Sequence, residues 1–343
     1  MKIGVLGAGW YGAHVAMQLQ ADGHEVSIMD KANCFFSEAS GKNQFRLHLG
    51  LHYARSSMTR HQSRDGYFRF IERYPKFSKP VCNNLYIIPR RESLIDFKTY
   101  YSIMMSSGIN LSEVNIGDYI YLNGCLIEGV VRCDERVILT SAAKTYFESR
   151  LSGNFLKYDQ IEVDIKSLNV NGVRYDHLID ATWGSLFDTK EGYFFEGTIL
   201  FYCRIKIGIT GFPAITLVDG NLWSLYPTDD ISIFTLSHVL HTPIYRSKSK
   251  KDVFENIKMM TKKNVFDIQN KMVLEVEKLF PEFKEYFDFI GEQFSVKMKP
   301  VDCSDQRACT IDVRDGITEI ISGKIDNIFY ASDHICGQFE SFL

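Results

Sequence analysis

Hydrophobic and polar positions alternate in blocks from the first residues. Ile3 to Leu6 is a short apolar run that enters the glycine turn Gly7-Ala8-Gly9-Trp10-Tyr11-Gly12. A helix carrying Ala16 and Leu19 follows, and a second apolar run, Glu25 to Met29, ends in Asp30. This predicts one complete βαβ unit. Thr59 to Arg73 predicts a helix, broken by Pro75 and Pro80. Asn84 to Pro89 reads as a strand and Ser93 to Ser106 as a helix. Tyr119 to Leu122 and Leu126 to Val131 read as two short strands around Asn123-Gly124, and Asp134 as the N-cap of a helix running to about Ser152.

The pattern changes in the second half. Ile161 to Leu168 and Gly172 to Tyr175 predict a hairpin, leading to the apolar strand at His177 and the turn Asp180-Ala181-Thr182-Trp183-Gly184. From about Gly192 to His241 the chain is mostly β: Gly197–Ile205, Ala214–Val218, Leu222–Tyr226 and Ile231–Leu236, with Asp219-Gly220 a hairpin turn. Ser249 to Phe280 predicts a long amphipathic helical region, ended by Pro281. Glu292–Lys299 is a strand, 302–307 a polar loop, Thr318–Ser322 a strand entering Gly323-Lys324, and Ile325–Ile335 a helix.

A chain of 343 residues suits two domains. Its net charge of −3 implies no general attraction to nucleic acid or anionic membrane. No apolar run reaches transmembrane length. Lys2 before an apolar stretch imitates a signal peptide, but the glycines, Gln18, Gln20 and Asp22 fit the βαβ unit better. None of the eight cysteines forms a CxxC pair, so neither a zinc site nor a thioredoxin-like motif is expected. Reduced thiols in a cytoplasmic protein are the expectation.

The glycine turn has a mechanical reading. Gly7 permits the tight turn, Gly9 lets the backbone approach a diphosphate, and Gly12 lets helix and strand pack closely. Asp30 can accept hydrogen bonds from a ribose. The expected bound partner is a dinucleotide, the alternative being a glycine-rich turn in a nucleotide-free α/β domain, and these residues alone do not separate FAD from NAD.

Four landmarks extend the argument: the Gly7-Gly9-Gly12 unit with Asp30, Ala39-Ser40-Gly41 followed by the Arg46 to Tyr53 segment, Asp180 to Gly184, and Ile321-Ser322-Gly323-Lys324 before a terminal helix. Together they resemble the D-amino-acid-oxidase-like flavoproteins of the glutathione-reductase-type FAD fold. In detail the chain is similar to FAD-dependent oxidoreductases associated with carbohydrate or specialised-metabolite genes. Trp183 departs from the commonest form of the Asp-Ala-Thr-Gly turn. The resemblance implies an α/β fold: a Rossmann-like FAD-binding domain with a second α+β substrate domain on a mostly antiparallel sheet. The expected FAD domain is discontinuous, 1–80, 125–188 and 305–343, and the substrate domain is 81–124 and 189–304.

The expected FAD-binding residues are Gly7, Gly9, Trp10, Tyr11, Gly12, Asp30, Lys31, Ser40, Gly41, Arg46, Ile161, Ala181, Thr182, Trp183, Gly184, Gly323 and Lys324. Gly323 and Lys324, at a helix start, suit negative charge on the reduced ring. His48, Arg46 and His52 are the catalytic candidates, sharing one face of an extended segment with Tyr53 opposite. His48 suits a base, a substrate-orienting group or a covalent flavin anchor. Tyr53, Tyr226 and Arg307 are substrate candidates, Arg307 for a carboxylate or phosphate and paired with Asp305 in the alternative. No metal is expected.

The implied reaction is oxidation of a C–N or C–O bond by hydride transfer to flavin N5, with dioxygen or another acceptor reoxidising the cofactor. The implied substrate is a small polar molecule: an amino or hydroxy sugar, possibly nucleotide-linked, or an amino acid. Two rivals stay open, a non-redox flavin-dependent sugar mutase and a non-catalytic dinucleotide-binding protein.

Overall fold

A computed structural model of the chain describes residues 1–186, 191–220, 222–301 and 307–339. The first apolar run forms β1 (Lys2–Leu6), the helix α1 (Trp10–Ala21) follows, and the second run forms β2 (Glu25–Asp30). β1 and β2 pair in parallel, from Lys2 opposite Glu25 to Leu6 opposite Met29. A parallel sheet is covered on both faces and needs nearly continuous apolar strands. Ile3, Val5, Leu6, Ile28 and Met29 are all fully buried.

Four strands complete this six-stranded sheet. Phe155–Lys157 adds in parallel beyond β2. On the other side His177–Asp180 pairs with β1, then Ile317–Ile321 in parallel, then Thr310–Arg314 antiparallel at the edge. The terminal helix Ile328–Phe339 packs beside α1, so the chain's two ends share one core.

A second, nine-stranded sheet is almost wholly antiparallel. Its longest pair is Tyr193–Ile205 against Phe287–Pro300, with Tyr193 opposite Pro300 and Ile205 opposite Phe287. The exception is Asn84–Pro89, which runs parallel to Ala214–Leu217. Helix Lys262–Leu279 covers one face through Met272, Val273 and Val276. No helix among the described residues is long and apolar enough to cross a membrane.

Several sequence expectations need correction. Strand Ile127–Cys133 pairs with Asn84–Pro89 in the nine-stranded sheet, so residues 125–133 do not belong with the nucleotide-binding sheet. Val130 and Val131 are adjacent and both buried, so both faces of that strand are covered. Tyr119–Leu122 is a turn. Asn123 N donates to Leu279 O at 2.8 Å and the Tyr121 ring packs on Phe212, Phe280 and Tyr286, so aromatic anchoring replaces strand pairing. Asp134 caps no helix: the buried strand Arg136–Ile138 comes first, and the helix is Thr140–Leu151.

The helical region predicted over 249–280 resolves into two helices, Lys250–Lys258 and Lys262–Leu279. Thr261 starts the second with a reciprocal capping box to Asn264. The predicted hairpin after Ile161 is a three-stranded meander of two-residue strands, turning at Asn171-Gly172. Asp219-Gly220 does connect an antiparallel pair, Ala214–Leu217 with Trp223–Pro227.

Candidate active site

The main cavity opens at the carboxyl ends of β1, His177–Asp180 and Ile317–Ile321, where they face the second sheet. Ligands of open parallel sheets bind at such strand ends.

One wall is a backbone cradle. Gly7 has φ +100°, and a Cβ there would lie 2.7 Å from Ala181 O. A Cβ on Gly9 would lie 2.7 Å from Ser40 Oγ, and one on Gly12 1.9 Å from Gly7 O. Gly7 and Gly12 therefore require glycine, since backbone blocks them, while at Gly9 the obstacle is the Ser40 hydroxyl. The first helix amide, Trp10 N, donates to Ser40 Oγ at 3.0 Å and faces the loop Ala39–Gly41. A dinucleotide's diphosphate fits this cradle, since α1 aims its N-terminal amides into it. Asp30 Oδ2 accepts from Ala8 N at 2.7 Å and Oδ1 from Ala32 N at 2.9 Å. That fixes the acid at the strand end and leaves about half of a carboxylate's lone pairs for a ribose.

Asp180 to Gly184 folds over the same cradle. Asp180 Oδ1 accepts from Thr182 N at 2.8 Å and from Thr182 Oγ1 at 2.6 Å. Burial pushes the Asp180 carboxyl up to about 6. Trp183 and Gly184 both lie in the left-handed region, at φ +57° and +73°. A Cβ on Gly184 would meet Met298 Sδ at 2.2 Å. The extra tryptophan is thus accommodated by two consecutive left-handed residues, and its ring lines the cavity.

The facing wall is built of polar side chains. Arg46 Nη1 donates to Tyr86 Oη at 2.9 Å and Nη2 to Ser224 Oγ at 2.8 Å. The guanidinium lies 3.7 Å from the Tyr226 ring centre. Glu135, fully buried, accepts from Leu49 N and Tyr86 Oη at 2.9 Å each and from Asn84 Nδ2 at 3.2 Å, and stands 3.7 Å from Arg46 Nη1. His52 Nδ1 is 2.8 Å from Tyr86 Oη, and His52 Nε2 is 3.4 Å from Arg46 Nη1. With the Tyr86 proton on Glu135, a consistent assignment gives His52 its proton on Nδ1.

His48 projects from this cluster into the cavity. Lys324 Nζ stands 2.8 Å from His48 Nε2, and Glu135 Oε1 is 3.8 Å from His48 Nδ1. Burial, then Lys324, His52 and Arg46, hold His48 well below the ordinary histidine range, so its imidazole is neutral. His52 is lowered by burial, Arg46 and Lys324. Burial lowers Lys324 to about 8, with Asp326 opposing and Arg46 reinforcing the shift. Tyr11 bridges the two walls: its hydroxyl lies 2.6 Å from Ser322 Oγ and donates to Lys324 O.

Most of the residues singled out in the sequence come together here. Gly9, Trp10, Tyr11, Ser40, Arg46, His48, Ala181, Trp183, Gly323 and Lys324 line the cavity, with Gly7, Gly12, Asp30, Gly41, Thr182 and Gly184 shaping it from behind. The Trp10 ring itself turns inward and stacks on Phe36, 4.7 Å between centres. Tyr53 is not opposite the histidines. The chain turns at Gly50 (φ +97°) instead of staying extended, which puts the Lys324 ammonium 4.8 Å over the Tyr53 ring.

Others lie elsewhere. Ile161 packs on the cluster of Leu6, Met29 and Leu178. Lys31 is exposed beyond β2. Tyr226 is buried behind Arg46, and Arg307 lines a smaller adjoining cavity with Trp183 and Gly323. Asp305 lies outside the described residues. Sequence reasoning missed Glu135, Asn84, Tyr86, Ser224 and Lys297. Only Lys297 left a usable signal, as a lysine between Val296 and Met298 in an alternating strand.

No protein-family model matches the chain. The FAD-dependent monooxygenase FPY4 of Fusarium mangiferae is 39% identical over 337 residues, covering 97% of this chain and 90% of that protein. The FAD-dependent monooxygenase kojA of Aspergillus flavus is 22% identical over 367 residues, covering 98% and 85%. Glycine oxidase from Geobacillus kaustophilus shares the fold, with a TM-score of 0.73 at 12% identity over 99% of this chain and 94% of that one. L-proline dehydrogenase from P. horikoshii superposes with a TM-score of 0.68 at 14% identity, over 95% and 89%. The cofactor is FAD rather than NAD. The chain belongs to the family of the FAD-dependent monooxygenase FPY4 and is an FAD-dependent oxidoreductase with a glycine-oxidase-like fold.

Proposed function

We propose that this enzyme oxidises a C–N or C–O bond of a small polar substrate, an amino or hydroxy sugar or an amino acid, at the cavity wall formed by His48 and Lys324. FAD, held by the glycine cradle, supplies the hydride acceptor. The observation that carries the reading is the His48–Lys324 pair itself. Two basic groups 2.8 Å apart, one neutral and one lowered to about 8, share a single proton near neutral pH. Release of the Lys324 proton, which its lowered pKa favours, opens a base site for the proton that a hydroxyl or ammonium must lose. The Lys324 cation would stabilise negative charge that develops in the cavity. Arg46 and Glu135 hold the His48 loop in place, Glu135 through Leu49 N. The discontinuous FAD domain, trimmed of residues 125–133, and a cytoplasmic location belong to the same proposal.

The test is anaerobic bleaching of the bound flavin by a panel of amino acids, amino sugars and sugar nucleotides. The reading expects one class to bleach the flavin without a reduced nicotinamide, and His48→Asn to slow bleaching by about 10²-fold or more. The relatives' names favour a second reading, monooxygenation. Bleaching that requires NAD(P)H, with one atom of dioxygen entering the product, would replace the first reading with the second. Acid precipitation of the same samples separates free from His48-anchored flavin.

A further inference from the structure

Strand Phe287–Pro300 carries Phe294-Ser295-Val296-Lys297-Met298-Lys299. Alternation sends Val296 and Met298 into an apolar cluster with Phe195 and Trp183, and sets Ser295, Lys297 and Lys299 on the opposite face. On the neighbouring strand, Glu196 stands opposite Lys297 and Thr198 opposite Ser295. Glu196 is already taken. Its Oε2 accepts from Arg246 Nε at 2.8 Å and its Oε1 is bound by Lys299 Nζ.

The Lys297 ammonium is left over. Among the described residues it makes no hydrogen bond or ion pair, and Lys297 lines the cavity of the candidate site. Ser295 Oγ, in a residue only 6% exposed, also has no hydrogen-bond partner. The other cations of the cavity are engaged, Lys324 with His48 and Arg46 with Tyr86 and Ser224. Burial and the neighbouring Lys299 and Lys324 lower Lys297 to about 8, against the opposing pull of the Glu196 carboxylate, which leaves it charged at neutral pH and without a direct partner. An unpaired cation beside an unsatisfied hydroxyl is costly unless a ligand answers both. Two donors at alternate positions of one strand, about 7 Å apart at Cα, match a group that only accepts hydrogen bonds and carries negative charge.

We propose that Lys297 and Ser295 form a subsite for an oxyanion group of the substrate, a carboxylate or a phosphate, which turns the oxidisable end toward His48 and Lys324. The proposal rests on the oxidoreductase reading and narrows its substrate class. A carboxylate would select an amino-acid-like substrate, and a phosphate a phosphorylated or nucleotide-linked sugar.

The test uses the holoenzyme as purified, at neutral pH and constant ionic strength. Sodium acetate and sodium phosphate are titrated separately. Flavin absorbance and tryptophan fluorescence are followed together, because Trp183 lines the same cavity. Saturable binding of one anion is expected, preferentially the one that matches the substrate. Lys297→Met should weaken it by about tenfold or more, Ser295→Ala by less, and Lys297→Arg should retain it, all with unchanged FAD content. Wild-type affinity for both anions in Lys297→Met would overturn the subsite. So would loss of FAD from that variant with anion affinity intact, which would give Lys297 to the cofactor. A wild-type protein that holds no FAD would instead break the oxidoreductase reading, while fluorescence still reports whether the anion binds at Lys297.

Discussion

The glycine cradle and the polar cluster across the cavity are built in opposite ways. The cradle is backbone: Gly7, Gly9 and Gly12 lie within six residues of one another, and Gly7 and Gly12 are fixed by the space a Cβ would need. The cluster is side chain. Arg46, His52, Tyr86, Glu135 and Ser224 come from segments up to 178 residues apart and are fixed only by their mutual hydrogen bonds. The first region fails when something is added. The second fails when something is removed, because every partner in it is desolvated.

The largest expected effect is in the cradle. Gly12→Val drives side-chain carbon into Gly7 O, where even a Cβ would lie at 1.9 Å. We expect a loss of about 4 kcal/mol or more and a colourless protein, read by denaturant unfolding and flavin absorbance. Wild-type flavin content in that variant would mean the cradle is not the FAD site.

Removal should be the damaging change on the other wall. Glu135→Ala leaves the buried Arg46 charge without its carboxylate, at an expected cost of about 3–5 kcal/mol. Glu135→Gln keeps the shape and most hydrogen bonds and should cost about 1–3 kcal/mol, with FAD retained. Equal losses in the two variants would show that packing, not charge, holds the cluster.

A smaller effect separates the regions by pH. His14, on α1 behind the cradle, is buried between Tyr74 Oη at 2.7 Å and Ser332 Oγ at 3.1 Å, and burial lowers it to about 3. The unfolded chain binds that proton near 6.5 and the folded chain only near 3, so stability should fall as pH drops through that window. His48 and His52 shift in the same direction. His14→Gln should flatten part of the slope in unfolding midpoints against pH, and an unchanged slope would place the acid sensitivity with the other lowered histidines, His48, His52, His177 and His238.

This contrast also explains what could be read from the sequence. The cradle was legible because its geometry is local: a turn, a helix start and an acid at a strand end. The turn at Asp180 and the return at Gly323-Lys324 were legible for the same reason. Glu135 was not, since nothing local distinguishes it from Asp134, and its partners lie on strands whose pairing is set by long-range packing. Tyr53 was misplaced because alternation holds only while a chain stays extended, and Gly50 turns it. The break at Thr261 leaves little local signal, since Asn264 stands where a capping box usually carries Glu or Gln and the amphipathic pattern runs on either side.

The central claim is that the backbone wall holds FAD while the side-chain wall governs its chemistry. The most direct measurement is the two-electron reduction potential of bound FAD in the wild type and in Lys324→Met, alongside FAD content. The account predicts full FAD content and a potential lowered by about 30 mV or more in the variant, since one cation that favours the reduced cofactor is gone. An unchanged potential with full FAD content would contradict it and move Lys324 away from the chemistry.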